Sequence, residues 1–379
     1  MKWIADTVKS APPSVLDKLL EIASEYTDVI SLGLGEPDFD TPDHIIQAGI
    51  NALKEGATHY TSNFGNLELR EAIQEKLKKD NNITVGTDEI MCSMGAGTAI
   101  DLFMRVVLNP GEEVIVQDPG YFNYIYIGAY LGAEVVPIHV KEENDFSLNP
   151  ADLKEHITDK TKVVVINSPA NPTGSIIPEK YLREIADIAI KNDLLVLTDE
   201  IYEKLIYDES HFSILSVPEM KERCVLVNGF SKAYAMTGWR IGYAAGCKEI
   251  IEKMGNIQAY SGICPPGVSQ KAALAALQGD QKCVEDMRKE YDKRRKYLVE
   301  RLNTMGIPTV MPKGAFYAFP NISEYGTSEQ VWKLFLDKAH VSTSPGTIFG
   351  GHGEGYLRFS YANSLENIGK ALDNIEEVV

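Results

Sequence analysis

The stretch "RCVLVNGFSKAYAMTGWRIGYAAG" (223–246) begins and ends on β-rich apolar runs, "RCVLVNGF" and "RIGYAAG". Between them it holds Lys232 in a turn of small residues, and Arg240 stands where the second run begins. Apolar runs of this length, bounded by glycine and polar residues, read as strands. Four more runs lie upstream, "EEVIVQD", "AEVVPIHV", "TKVVVINS" and "DLLVLTDE", and helical patterns alternate with them between about residues 44 and 280. Strands alternating with helices predict an α/β fold with a mainly parallel sheet covered on both faces. Ligands of such sheets bind beyond the carboxyl ends of the strands. The polar residues that end these runs, Asp118, Asn167, Asp199 and Asn228, are expected to meet there.

A chain of 379 residues is longer than one hydrophobic core usually serves. After the charged helix "CVEDMRKEYDKRRKYLVERLNTMG", the segment through "AFYAFP" to a terminal helix reads as a smaller α+β unit. The basic run of that helix reads as a face turned to water. A short helix from Val15 to Ala23 is expected to pack on the same unit. The net charge of -17, from 37 basic and 54 acidic residues, opposes long-range attraction to nucleic acid or an anionic membrane. Small anions must then be held by local groups.

Five scattered cysteines without a CxxC pair fit reduced thiols better than a disulfide framework. Seven histidines without HxxxH spacing give no support to a metal site. No stretch approaches the length of a membrane span and the N-terminus lacks a secretory pattern, so a cytoplasmic protein is expected.

Several motifs carry chemistry when taken together. "SMGAGTAIDLF" (93–103) opens a helix on small residues, where Gly95 and the amides of Ala96 and Gly97 either cradle a phosphate or simply start the helix. "SPANPTG" (168–174) follows a strand and projects the Asn171 amide from the sheet edge, unless it is a plain tight turn. "LTDEIYEKL" (197–205) puts Asp199 and Tyr202 on one face if the chain begins to coil, with a capping aspartate as the other reading. Tyr121, after a Pro-Gly turn, either lies over a flat heterocycle or packs in the core. In "GYLRFSYA" (355–362), Arg358 among apolar neighbours needs a carboxylate, which a substrate or a structural salt bridge would supply.

One cofactor uses all of these groups. Pyridoxal 5'-phosphate needs a lysine for its aldehyde, a carboxylate for its ring nitrogen, donors for its phenolate oxygen, an aromatic lid, and a phosphate cradle with an arginine. The motifs "SLGLGEPDFDTP", "THYTSNFGNLELREAI", "NSPANPTG", "DEIYEKLIYD", "NGFSKAYAMTGWRIGY" and "PKGAFYAFP" run almost end to end in this order. In them the sequence resembles the class I, fold type I aminotransferases, the family of aspartate and aromatic amino-acid aminotransferases.

The resemblance implies that Lys232 links covalently to the cofactor, that Asp199 pairs with the pyridine nitrogen, and that Tyr202 and Asn171 contact the phenolate oxygen. It implies that Tyr121 stacks on the ring, and that Ser231, Arg240 and the 95–97 turn bind the phosphate with Tyr60 of a second subunit. Arg358, with Gly35 and Asn171, would hold the substrate carboxylate. It further implies a homodimer, a large domain over 44–282, and a small domain over 283–379 joined by an N-terminal arm and helix over 1–43. The implied reaction is ping-pong transfer of an amino group from an L-amino acid to a 2-oxo acid such as 2-oxoglutarate. Aromatic donors are favoured, with aspartate as the other candidate, because no second side-chain arginine is evident; Arg105 is the candidate for one, against a solvated helix face. Other readings are a β-lyase or decarboxylase on the same fold, or a non-catalytic cofactor-binding sensor.

Overall fold

The computed structural model describes Trp3, residues 6–9 and residues 28–379. The helix expected from Val15 to Ala23 lies outside the described residues. The centre of the molecule is a seven-stranded sheet: β1 Ile90–Ser93, β2 Glu113–Asp118, β3 Glu134–His139, β4 Thr161–Asn167, β5 Leu195–Asp199, β6 Cys224–Gly229 and β7 Gly242–Gly246. Their spatial order is β1-β7-β6-β5-β4-β2-β3. All pairings are parallel except the two made by β7, which runs antiparallel to both β6 and β1.

The six expected runs are all strands. The seventh, β1, is a four-residue strand that carries no alternation to announce it. Its register is set by β7, with Ile90 opposite Ala245 and Ser93 opposite Gly242. Strand β4 shows why the runs are apolar on every position: Val163 and Val165 enter one core, while Val164 and Ile166 enter the other. Successive side chains point to opposite faces, and both faces are covered. Helices Leu67–Asn81 and Glu179–Lys191 pack on the first face, and helices Ala96–Val107 and Lys248–Ser261 on the second. Edge strand β3 is only partly covered and tolerates Pro137, since an edge position need not complete the ladder.

A third core belongs to the C-terminal part, built on Tyr291, Leu298, Phe335, Phe359 and Leu372. Strands Tyr317–Ala318, Ser344–Pro345 and Leu357–Ser360 form an antiparallel sheet there, with the last in the middle. Ile201, Tyr202 and Leu205, from the turn after β5, belong to this same core and so tie the two sheets together. The 23-residue helix Lys282–Thr304 leads into it. One expectation fails here: its basic run is not wholly in water. Arg294 and Arg295 are buried, the first against Asp38 and Glu290, the second against Asp208 and Asp292. Glu290 and Asp292 of the same helix neutralise them together with Asp38 and Asp208 from remote segments, and that second half of the partnership is what one helix's sequence cannot display.

Candidate active site

A cavity of about 380 Å3 opens where the strands end and the C-terminal sheet begins, within the range usual for small-ligand sites. Each wall comes from a different crossover. The loop between β6 and β7 brings Ser231, Lys232 and Arg240; the turn after β5 brings Asp199 and Tyr202; the loop after β4 brings Asn171. Tyr121 follows β2, Ala96 and Gly97 start the helix after β1, Gly35 arrives from the N-terminal side, and Arg358 from the central C-terminal strand.

Thus eleven of the thirteen residues proposed from sequence line one space, and the other two lie elsewhere. Gly95 stands just behind the wall, with a φ of 87° that a side chain rarely adopts. A Cβ placed on it would sit 2.6 Å from Nη2 of Arg240. Tyr60 is exposed on the surface and does not face this cavity.

Of the four strand-end residues, Asn167 and Asp199 line the cavity, and Asp118 and Asn228 do not. Asp118 instead accepts hydrogen bonds from the backbone N and Nδ1 of His352, at 3.1 and 3.0 Å. Asn228 turns back to accept from the Gly229 amide at 2.7 Å. Alternation along a strand sends only some end residues toward the mouth, and the run's last polar letter does not say which. Arg105 is held by Asp101 at 2.8 Å on the outside of its helix, away from the cavity.

The electrostatics of the cavity demand an anion at two places. Arg358 is 6% exposed, yet no carboxylate among the described residues lies within ion-pair distance of it. Its Nη1 donates to Asn171 Oδ1 at 2.9 Å and its Nη2 to the Gly33 carbonyl at 2.5 Å, while its buried Nε has no partner. A structural salt bridge is therefore absent among the described residues. Arg240 likewise meets only carbonyls, those of Thr237 at 2.9 Å and Met94 at 3.5 Å. It faces the start of helix Ala96–Val107, whose first amides have no intrahelical acceptor.

Two titratable groups are displaced toward each other. Burial, joined by the nearby charges of Arg358 and Arg240, pulls the Lys232 amine down to about 8 despite the opposing attraction of Glu36. Its Nζ donates to the Gly35 carbonyl at 2.5 Å. Burial pushes Asp199 up to about 6, although the Tyr124 hydroxyl and the Ile201 amide donate to it at 2.7 and 3.1 Å. A buried acid held so high gains from a cationic partner.

Pyridoxal phosphate fits these residues. An unpaired arginine beside free helix amides suits the phosphate, the buried Asp199 suits a protonated ring nitrogen, and a lysine amine of lowered proton affinity suits the aldehyde. Tyr124, Tyr317, Glu36 and Thr237 were not singled out in the sequence. Tyr124 could have been found from its position one helical turn after Tyr121. Tyr317 lies inside the motif "PKGAFYAFP", but nothing local marks it as facing Tyr202.

The model of aminotransferase class I and II matches residues 27–375, and the chain belongs to that family. It is 49% identical to an aspartate aminotransferase of Pyrococcus abyssi, over 99% of this chain and 98% of the relative. It is 42% identical to aromatic-amino-acid aminotransferase 2 of Thermococcus litoralis, again over 99% and 98%. The crystal structure of an aromatic aminotransferase from Pyrococcus horikoshii superimposes with a TM-score of 0.91 at 48% identity, over 95% of this chain and 98% of that one. The protein is an aminotransferase of fold type I that uses pyridoxal 5'-phosphate.

Proposed function

We propose that the enzyme moves the amino group of an aromatic L-amino acid to a 2-oxo acid such as 2-oxoglutarate, in ping-pong order, and that the cavity described above is the site. The observation that carries this reading is the buried Arg358 guanidinium, which no protein carboxylate among the described residues satisfies. A substrate α-carboxylate completes it through two parallel N-H donors. Bound pyridoxal phosphate supplies an aldehyde for the amino group and a ring that draws electrons from the α-carbon.

The chain's own residues do the rest. Lys232 would hold the aldehyde, and its amine, once free of it, would take the proton from the substrate α-carbon. A lowered proton affinity leaves more of that amine unprotonated near neutral pH. Asp199 holds the ring nitrogen protonated, and Tyr202 and Asn171 attend the phenolate oxygen. Tyr121 covers the ring. Ser231, Arg240, Gly95 and the amides of Ala96 and Gly97 hold the phosphate, and Gly35 and Asn171 help to orient the carboxylate.

Leu34, Ile100, Phe122 and Ile201 give the cavity an apolar side, and among the described residues its arginines are Arg240 and Arg358. This supports an aromatic side chain over a second carboxylate. The active form is a homodimer in which Tyr60 of each subunit completes the other's phosphate site. In support, Tyr60, Tyr260 and Ile263 are exposed, and this surface reaches the site's rim where Met94 packs on Gly262. The division into domains over 44–282 and 283–379 accords with separate cores for the large and C-terminal sheets. The place of work is the cytoplasm, and all five cysteines are free thiols. No helix among the described residues is long and apolar enough to cross a membrane.

The test is a panel of amino donors with 2-oxoglutarate, following the cofactor's visible absorbance. Aromatic donors should give the highest kcat/KM; a tenfold advantage for aspartate would overturn the substrate reading.

A further inference from the structure

Tyr317 stands between the two groups to which the preceding reading gives separate duties. Its side chain is 1% exposed and reaches the cavity from strand Tyr317–Ala318, whose residue 317 pairs with Ser360 of the strand that carries Arg358. Its hydroxyl lies 2.8 Å from the Tyr202 hydroxyl, with the two rings at 81°. Its ring centroid is 4.5 Å from Cζ of Arg358. A Cβ on Gly35 would lie 2.5 Å from the Tyr317 oxygen, so the backbone closes in on the hydroxyl where it meets Tyr202.

We infer that Tyr317 is a positioning residue that directs the Tyr202 hydroxyl proton into the cavity and holds the Arg358 guanidinium against its ring. The inference rests on the roles given above to Tyr202 and Arg358. A phenol has one proton to give. Either hydroxyl of the pair could donate to the other, but an acceptor-only phenolate oxygen in the cavity claims the Tyr202 proton. Tyr317 must then donate to Tyr202. Each donor in such a chain strengthens the next, so the Tyr317 proton makes Tyr202 a better donor to the ligand oxygen. The flat face of Tyr317 meanwhile attracts the guanidinium and restricts its plane. One side chain thus touches both ends of the substrate site, sharing the guanidinium with the Phe349 ring.

The test uses the holoenzyme and three variants, Tyr317→Phe, Tyr317→Leu and Tyr202→Phe, with the double variant Tyr202→Phe/Tyr317→Phe. A donor draws charge from the phenolate oxygen and weakens its hold on a proton shared with the neighbouring nitrogen. Losing the Tyr317 hydroxyl should therefore move the pH of the visible absorbance change upward by about a few tenths of a unit, the size expected of bond cooperativity. In Tyr317→Phe, kcat should fall several-fold with KM for the amino acid changed less than about twofold, because the ring remains. Tyr317→Leu should also raise that KM about fivefold, as the guanidinium loses one of its two aromatic faces and keeps the other, the Phe349 ring 4.8 Å from its Cζ. The double variant should show the spectral midpoint of Tyr202→Phe alone, since Tyr317 acts through Tyr202.

A shift caused by Tyr317→Phe that persists in the Tyr202→Phe background would overturn the inference. So would an unmoved midpoint in Tyr317→Phe beside a large shift in Tyr202→Phe. If Tyr317→Leu does not fold, Tyr317→Phe, which keeps the ring and its packing, still decides through the spectral midpoint and its comparison with the double variant. The parent reading fails separately, if Lys232→Ala keeps the pH-dependent colour of the unmodified enzyme.

Discussion

Replacing Arg358 by leucine should separate stability from catalysis in one substitution. In the free protein the guanidinium is a buried charge with no carboxylate partner among the described residues, and burial lowers its proton affinity. Removing it relieves a desolvation cost of several kcal/mol. It also strips donors from Asn171 Oδ1 and the Gly33 carbonyl, at roughly 1 to 3 kcal/mol each. These terms oppose, so the net change in stability should stay within about 2 kcal/mol. Substrate binding has no such offset. Two charge-assisted bonds to the α-carboxylate contribute about 3 to 5 kcal/mol, or roughly 10²- to 10⁴-fold in kcat/KM.

The assay compares kcat/KM for phenylalanine with that for phenethylamine, which lacks the carboxylate, alongside urea denaturation of both proteins. The variant should lose most of its preference for the amino acid while its activity on the amine changes little. Arg358→Lys should recover only part of the preference, since a point charge lacks the planar fork. Equal losses on both substrates, or a denaturation midpoint far below that of the unmodified protein, would show that Arg358 serves the fold instead of the carboxylate.

Lys232→Ala should still bind the cofactor but form no bond trapped by borohydride, and normal transamination by that variant would exclude its role; the check is mass spectrometry of the reduced protein. Asp199→Ala should cost far more in kcat than in cofactor affinity, measured by equilibrium dialysis, because its carboxylate serves the ring's electronics and not the phosphate. A third expectation concerns stability in acid. Burial alone would raise Glu203, but Lys76 and His211 override it and hold its carboxyl down to about 2. A depressed carboxyl gives stability that is present above its unfolded value of about 4.5 and lost as pH falls toward 2. The contribution is on the order of 3 kcal/mol. Lys76→Met should therefore destabilise strongly at pH 7 and much less at pH 3, by urea denaturation, and an equal loss at both would refute the pairing.

Much of the site was open to inspection in the sequence because its groups sit in compact local frames. The loop from Ser231 to Arg240 carries three of them, and the turn from Asp199 to Tyr202 carries two more. Strands β2 and β4 to β7 were visible because burial on both faces leaves an uninterrupted apolar run, and the half-covered edge strand β3 because of its β-branched residues. Strand β1 was not, since four residues after a tight turn have neither length nor period. Contacts through space were also hidden. Tyr124 reaches Asp199 and Tyr317 reaches Tyr202 across long chain separations, and no motif encodes such a meeting. The same reason explains Arg294 and Arg295, whose partners Asp38 and Asp208 come from remote segments. Asp118 ends its strand just as Asp199 does, but in a neighbouring pocket of His352 rather than in the cavity.

The reversed strand β7 has a consequence for the newborn chain. Strand β1 touches the large sheet only through β7, so Ile90 to Ser93 must wait until Gly242 to Gly246 have left the ribosome before they find a ladder. Pairings so distant close late and slowly. The loop with Lys232 and Arg240 connects β7 to β6, so the phosphate wall between that loop and the helix after β1 can form only when this last edge zips shut. Until then a half-made polypeptide has no finished pocket in which to capture a reactive aldehyde.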